Sequence, residues 1–124
     1  MNKRILIVDD SAPTRRLVRE SIESLFGFEI CGEAADGLEA VEKTLELKPD
    51  LVVLDYSMPQ INGLQVAFMI HEIEANTPII LFTFYKDAIS SRIAHAAGVT
   101  SVVSKTDQLP KLADEVQRLT AYRN

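Results

Sequence analysis

The sequence predicts an α/β fold, a doubly wound parallel sheet of five strands with helices on both faces. Two observations carry this. The apolar runs are short and rich in branched aliphatics, as in Ile5-Leu6-Ile7-Val8, Leu51-Val52-Val53-Leu54 and Ile79-Ile80-Leu81-Phe82. That is the pattern of strands buried on both sides. These runs also alternate with segments of helical periodicity, and strict alternation implies a parallel sheet with right-handed crossovers. The chain has 124 residues and no internal repeat, low-complexity tract or linker. It reads as a single domain, residues 1–124, long enough to bury a core.

Strands are expected near residues 4–9, 28–34, 51–55, 78–83 and 101–104. Helices are expected near 12–26, 37–48, 63–75, 87–97 and 108–121, the last ending near Tyr122, which leaves no room for an effector domain. Ser11 is placed to cap the first helix, and Pro13 suits its opening turn, where the amide has no helical partner. Val18, Ile22 and Leu25 recur at helical spacing and predict its buried stripe. Asp36 followed by Glu39 has the polarity of a capping box. Leu38, Val41 and Leu45 predict the buried stripe of the second helix, and Pro49 stops it. Pro78 precedes the fourth strand. Ile89, Ile93, Ala96 and Val99 predict the buried side of the fourth helix, any left exposed fitting a dimer face, and Gly98 closes that helix in the left-handed conformation.

Composition narrows the function. The chain is 47% hydrophobic and 25% charged, with a net charge of −5. That balance argues against direct binding to nucleic acid or to an anionic membrane. One cysteine, Cys31, rules out an internal disulfide and suits a reducing cytoplasm. The opening apolar run is too short for a signal peptide, and no later run is long enough to span a bilayer. Cys31 reads as a small filler in an alternating strand. His71 and His95 fall on helices, far from the acidic residues, and suit surface or packing roles. Phe82 reads as core, and Phe84 and Tyr85 as candidate interface residues.

Ligands of open parallel sheets bind outside the carboxyl ends of the strands. Here those ends carry charge. Ile5–Val8 stops at Asp9 and Asp10, Leu51–Leu54 at Asp55, and Val102-Val103-Ser104 at Lys105. Three carboxylates in one cleft repel one another, and a hard divalent cation relieves this. Magnesium takes a few carboxylates together with waters and a phosphate. Asp10 and Asp55 are the candidate direct ligands, Asp9 acts through water, and the backbone carbonyl of Ser57 completes the set. Asp55 is also the candidate nucleophile, since carboxylates form acyl phosphates. Phosphoryl transfer spreads negative charge over three oxygens. Magnesium, the Lys105 ammonium and the Thr83 hydroxyl are placed to receive them. Two other classes share this topology. An FMN-binding domain needs a hydroxyl- and glycine-rich loop after the first strand, where Asp9-Asp10 stand instead. A magnesium-dependent phosphatase usually places its nucleophile there, with a second aspartate two residues on, whereas Asp9 and Asp10 are adjacent.

At these residues the chain resembles the receiver domain of two-component response regulators over essentially its full length. The resemblance rests on Ile7-Val8-Asp9-Asp10, on Asp55-Tyr56-Ser57-Met58-Pro59-Gln60-Ile61-Asn62-Gly63, on Thr83, and on Gly98 followed by Lys105. It implies a flavodoxin-like (βα)5 fold with strand order 2-1-3-4-5. It implies that Asp55 accepts phosphate from a phosphohistidine of a sensor histidine kinase, with magnesium as cofactor. The chain would then catalyse only its own phosphorylation and dephosphorylation and would not be an enzyme in the ordinary sense. The resemblance further implies that phosphorylation changes the face made by helix 4, strand 5 and helix 5, with Thr83 moving toward the phosphate. That face would control an output domain or a partner, and would support a homodimer.

Three positions depart from the family pattern. Val102 stands where strand 5 usually carries an aromatic switch residue. Phe84 follows Thr83 where a small residue is usual, and would either cover the acceptor or face a partner. Thr106 replaces the common proline after Lys105. The run Lys105-Thr106-Asp107 is similar to receivers that precede helix-turn-helix DNA-binding domains, so a C-terminal output domain outside this chain is one expected partner. The alternative reading is a receiver-like interaction domain that does not use phosphate.

Overall fold

The computed structural model describes residues 1–121. Tyr122, where the last helix was expected to end, lies outside them. The elements are β1 (Lys3–Val8), α1 (Ala12–Glu23), β2 (Phe28–Ala34), α2 (Gly37–Leu47), β3 (Leu51–Leu54), α3 (Gly63–Ile73), β4 (Ile79–Thr83), α4 (Ser91–Ala96), β5 (Ser101–Ser104) and α5 (Leu109–Thr120). All strand pairs are parallel and the order is β2-β1-β3-β4-β5. The direction of winding therefore reverses between β1 and β3, and their carboxyl ends flank the crevice where such sheets bind ligands.

Period-two alternation builds two cores from each strand. Leu6, Val8, Leu54 and Leu81 pack with Val66 and Ile70 of α3, Ala40 of α2 and Ala94 of α4. Ile5, Ile7, Val53 and Ile80 pack with Val18 and Ile22 of α1 and Leu112 and Val116 of α5. A strand serving both cores has no polar face, which is why β1, β3 and β4 read as unbroken apolar runs. The β1–β2 register slips between Ile5 and Leu6, so that Ile5 pairs with Ile30 and Leu6 with Gly32. Cys31 sits in that irregularity, half-buried against the core. Burial pushes its thiol pKa up, as suits a filler and not a reactive thiolate.

The caps follow the local chemistry. The Ser11 hydroxyl accepts from the Thr14 amide and Asp36 Oδ1 from the Glu39 amide. The Glu39 carboxylate reaches the Ala35 amide, one residue short of a reciprocal box. Asn62 and Gln65 do form a complete box at the start of α3. Gly98, at φ 93°, ends α4 with its amide on His95 and that of Val99 on Ala94.

Two helices differ from expectation. In α2, Leu38 and Leu45 are exposed, and the buried positions are Gly37, Ala40 and Thr44. Small residues let this helix lie close to the sheet. Thr44 is tolerated inside because its hydroxyl donates to the Ala40 carbonyl at 2.8 Å. The segment 87–97 is not one helix. Residues Lys86–Ala88 form a 3₁₀ turn, Ile89 is extended, and α4 starts only after Ser90, whose hydroxyl accepts from the Ile93 amide. The buried side of α4 is Ala94, followed by Val99. Ile93 is exposed, as is Ala96.

A hydrogen bond from β5 and an ion pair within α5 converge on Glu115. Glu115 accepts from Ser101 Oγ at 2.6 Å and from Arg118 Nε and Nη2 at 2.7 and 2.9 Å. The Arg118 hydrogen bonds lead in lowering the Glu115 pKa to about 2. A depressed folded pKa gives stability that is complete above the unfolded value of 4.5 and is lost as pH falls through about 2. Glu115→Gln should therefore cost at most about 1 kcal/mol at pH 7, since the pair is partly solvated. Urea melts of the two proteins should converge as pH falls through that window.

Candidate functional site

The backbone extends the sheet into the loops that carry the charged residues. The Asp9 amide donates to Ala34, that of Asp55 to Val8, and that of Lys105 to Thr83, at 3.0, 2.9 and 2.8 Å. These bonds hold the residue after β1, the residue after β3 and the residue after β5 at one edge. Asp9, Asp10, Ser57 and Lys105 join Asp55 in lining a cleft of about 290 Å³. One carboxylate oxygen from each of Asp9, Asp10 and Asp55 falls within 4.8 Å of the others. Asp9 and Asp55 are buried and Asp10 is exposed. The Lys105 ammonium donates to Asp9 Oδ2 at 2.7 Å and lies 3.3 Å from Asp55 Oδ1.

Three carboxylates against one ammonium leave the cleft electronegative. Burial raises the Asp55 pKa most, and the Asp9 charge adds to it. Lys105 and the Ser57 amide, which donates to the Asp55 carboxylate, act the other way without prevailing. A hard oxygen donor set with excess negative charge, open to solvent on the Asp10 side, fits a magnesium ion that keeps several waters. Asp9 has both oxygens engaged, Oδ1 by the Ser11 amide at 2.8 Å and Oδ2 by Lys105.

Thr83 is placed differently. It ends β4 near the cleft but is fully buried, and its hydroxyl accepts from the Tyr85 amide at 3.0 Å. Phe84 and Tyr85 form an exposed rim, with Tyr85 edge-on to Tyr56 at 6.1 Å between ring centroids. Val102 is half-buried against the core on the α4 side of the sheet. His71 and His95 line a separate depression that includes Pro78, Gly98 and Thr100, at the opposite edge of the sheet.

Three supporting residues escaped the sequence reading. Arg15 donates from Nη1 to the Asp9 carbonyl at 2.6 Å and from Nε to Glu33 at 2.8 Å, bracing the loop after β1 against β2. Its position one turn into α1 was the available signal. Gly63 is the third. A Cβ on it would lie 2.3 Å from the Asp55 carbonyl oxygen.

Comparison with known proteins gives this arrangement a family. The family model for the response regulator receiver domain matches residues 5–117. The chain belongs to that family. This receiver domain is 36% identical over 120 residues to the chemotaxis protein CheY of Thermotoga maritima, covering 97% of this chain and 99% of that protein. It is 39% identical over 97 residues to a protein-glutamate methylesterase/protein-glutamine glutaminase of the same organism, covering 78% of this chain but only 26% of that protein. Among solved structures, a LuxR-family two-component response regulator from Aurantimonas sp. superposes with a TM-score of 0.92 at 29% identity, covering 100% of this chain and 89% of that one. The response regulator domain of Thermotoga maritima CheB gives 0.88 at 29% identity, with both chains covered completely. The receiver is thus a two-component signalling domain, and the reading that dispenses with phosphate is not favoured.

Proposed function

We propose that residues 1–124 form one receiver domain in which Asp55 is the phosphoacceptor. The carrying observation is the Lys105 ammonium set between the carboxylates of Asp9 and Asp55, with Asp10 beside them. Asp9, Asp10, Asp55 and the Ser57 carbonyl would hold magnesium, which when bound offsets the charge of the carboxylates and of an incoming phosphoryl group. Asp9, with both oxygens engaged, suits contact through water.

In the reaction an Asp55 oxygen attacks phosphorus, the P–N bond of the donor phosphohistidine breaks, and the acyl phosphate forms on Asp55. The donor imidazole keeps the electron pair. Lys105 already points at Asp55 and needs no reorganisation to pair with a phosphoryl oxygen, which is how a preorganised cation accelerates transfer. Thr83 reaches the phosphoryl group only after its hydroxyl leaves the Tyr85 amide, so its engagement would move the rim. That coupling gives phosphorylation a route to the face of α4, β5 and α5.

A sensor histidine kinase is the proposed donor, and the receiver's own chemistry is limited to its phosphorylation and dephosphorylation. The proposed recipient is an output domain, DNA-binding among the options, or a second copy docked through α4, β5 and α5. Ile93, exposed on α4, suits the latter. Among the described residues no helix is long and apolar enough to cross a membrane, and a cytoplasmic location is proposed. Incubation with acetyl phosphate and magnesium should add one phosphoryl mass, mapped to Asp55 after borohydride reduction. An unchanged mass, or label on another residue, would overturn the assignment.

A further inference from the structure

The strand β4 is buried along its whole length, yet the ring that follows it stands at the surface. Phe84 is 66% exposed. It is nevertheless not directed at bulk solvent alone, because its ring centroid lies 5.4 Å from the Lys105 ammonium. Phe82 approaches the same ammonium from the core at 5.9 Å. Both distances fall within the range of cation–π attraction. The Lys105 side chain is only 8% exposed, so this cation is fixed and offers the ring a fixed anchor. Such an anchor favours the docked rotamer of Phe84 over open ones by a factor of about two to five.

Two depressions meet at this ring. One is the acidic cleft. The other is a groove of about 170 Å³ bounded by Leu17, Val18, Phe82 and Leu109. Thr14, Phe84 and Lys105 line both and form the wall between them. Phe84 is the one bulky apolar member of that wall, and it lines the acidic cleft together with Asp55 while remaining largely exposed.

We propose that Phe84 is a specificity-determining residue for the reaction at Asp55: its ring, anchored on Lys105, screens the acceptor and its acyl phosphate from water and from small phosphodonors. This rests on Asp55 being the phosphoacceptor. Hydrolysis requires a water oxygen to reach phosphorus on the side away from Asp55. The new P–O bond forms as the bond to Asp55 breaks. The Asp55 carboxylate leaves with the electron pair, and the proton of the water passes to solvent. A small donor reaches Asp55 along the same open side. An apolar ring at that opening supplies no hydrogen bond to an approaching water, so crossing it is unfavourable. The phosphorylated state is accordingly long-lived.

The test compares the wild type with Phe84→Ala, Phe84→Leu and Phe84→Tyr, whose exposed site tolerates all three. Each protein is loaded with acetyl phosphate and magnesium, freed of donor, and its phosphorylated mass is followed in time. Phe84→Ala should lose phosphate about three- to tenfold faster than the wild type. It should also load faster, with Phe84→Leu intermediate and Phe84→Tyr close to the wild type. In the magnesium-free proteins, the proton resonances of the Lys105 ε-methylene should shift downfield in Phe84→Ala as one of the two ring currents is lost. Decay in Phe84→Ala at or below the wild-type rate, or unmoved Lys105 resonances, would overturn the inference while leaving the acceptor assignment intact. A wild type that takes up no phosphate would overturn both.

Discussion

Asp55→Asn should abolish phosphoryl uptake and at the same time make the magnesium-free protein more stable. The first effect follows from the loss of the proposed nucleophilic carboxylate, since an amide oxygen forms no stable acyl phosphate. The second follows from electrostatics. Burial and the neighbouring Asp9 both raise the Asp55 pKa, so the ionised group is less comfortable folded than unfolded. A raised folded pKa means that the folded state takes up the proton first as pH falls. The cost of the charged Asp55 is therefore present at neutral pH and is relieved as pH drops through the folded value toward the ordinary 3.8. Asparagine removes that cost at all pH values, keeps the shape, and still accepts the Ser57 amide.

The gain should be about 1 kcal/mol, which for a chain of this size raises the Tm by roughly 3–6 °C. Thermal melts at pH 7 and pH 4 check it, and the advantage of the variant should shrink at the lower pH. Added magnesium should raise the Tm of the wild type by linkage and that of the variant less. A variant less stable than the wild type without metal would show that Lys105 more than compensates the cluster. The site would thus sacrifice stability for charge density, a common arrangement at functional positions.

The parts of this design that the sequence exposes are those written as abrupt changes of residue class. A strand buried on both faces must be apolar throughout, so its end is marked by the first charge. Asp9 and Asp55 each sit at such a mark, Lys105 follows the half-buried edge strand β5, and the parallel sheet brings the three together. The helices are less legible. In α2 the large residues Leu38 and Leu45 face out while Ala40 and Thr44 face in, because close packing on the sheet rewards small volume and Thr44 satisfies its hydroxyl within the helix. In the segment before α4 the Ser90 cap decides where the helix begins, and a periodicity of isoleucines runs across that boundary unchecked. Thr83 shows the limit at single-atom scale. Its place at a strand end was readable, but the partner of its hydroxyl, the Tyr85 amide, depends on how the next two residues turn. The bracing of Asp9 by Arg15 and Glu33 joins three elements, and the place of Arg15 one turn into α1 is its only local trace.

Gly63→Ala should do more damage than any other glycine-to-alanine change near the site, for reasons of space and not of backbone conformation. A Cβ there would lie 2.3 Å from the Asp55 carbonyl oxygen and 2.7 Å from the Tyr56 Cα. Both are backbone atoms, and no rotamer change clears them. The Gly63 amide also donates to the Tyr56 carbonyl at 2.7 Å, which draws the start of α3 onto the loop after β3. The methyl group must push that loop, and Asp55 with it, away from α3. Overpacking of this kind costs about 1–3 kcal/mol. A shift of the acceptor near 1 Å relative to Lys105 should slow phosphoryl uptake by about a hundredfold. Gly37→Ala provides the contrast. Its Cβ would meet side-chain atoms of Ile61 and Val66 at 2.5 to 2.7 Å. Ile61 is half-buried and can shift, whereas Val66 is buried and stiff at χ1, so stability still falls, but no backbone atom of Asp55 is pushed and the acceptor stays in place. Urea melts give the stability difference, and uptake from acetyl phosphate, normalised to the folded fraction, gives the effect on the acceptor. Equal uptake in the two variants would show that the loop after β3 is not held in place by the close approach of Gly63.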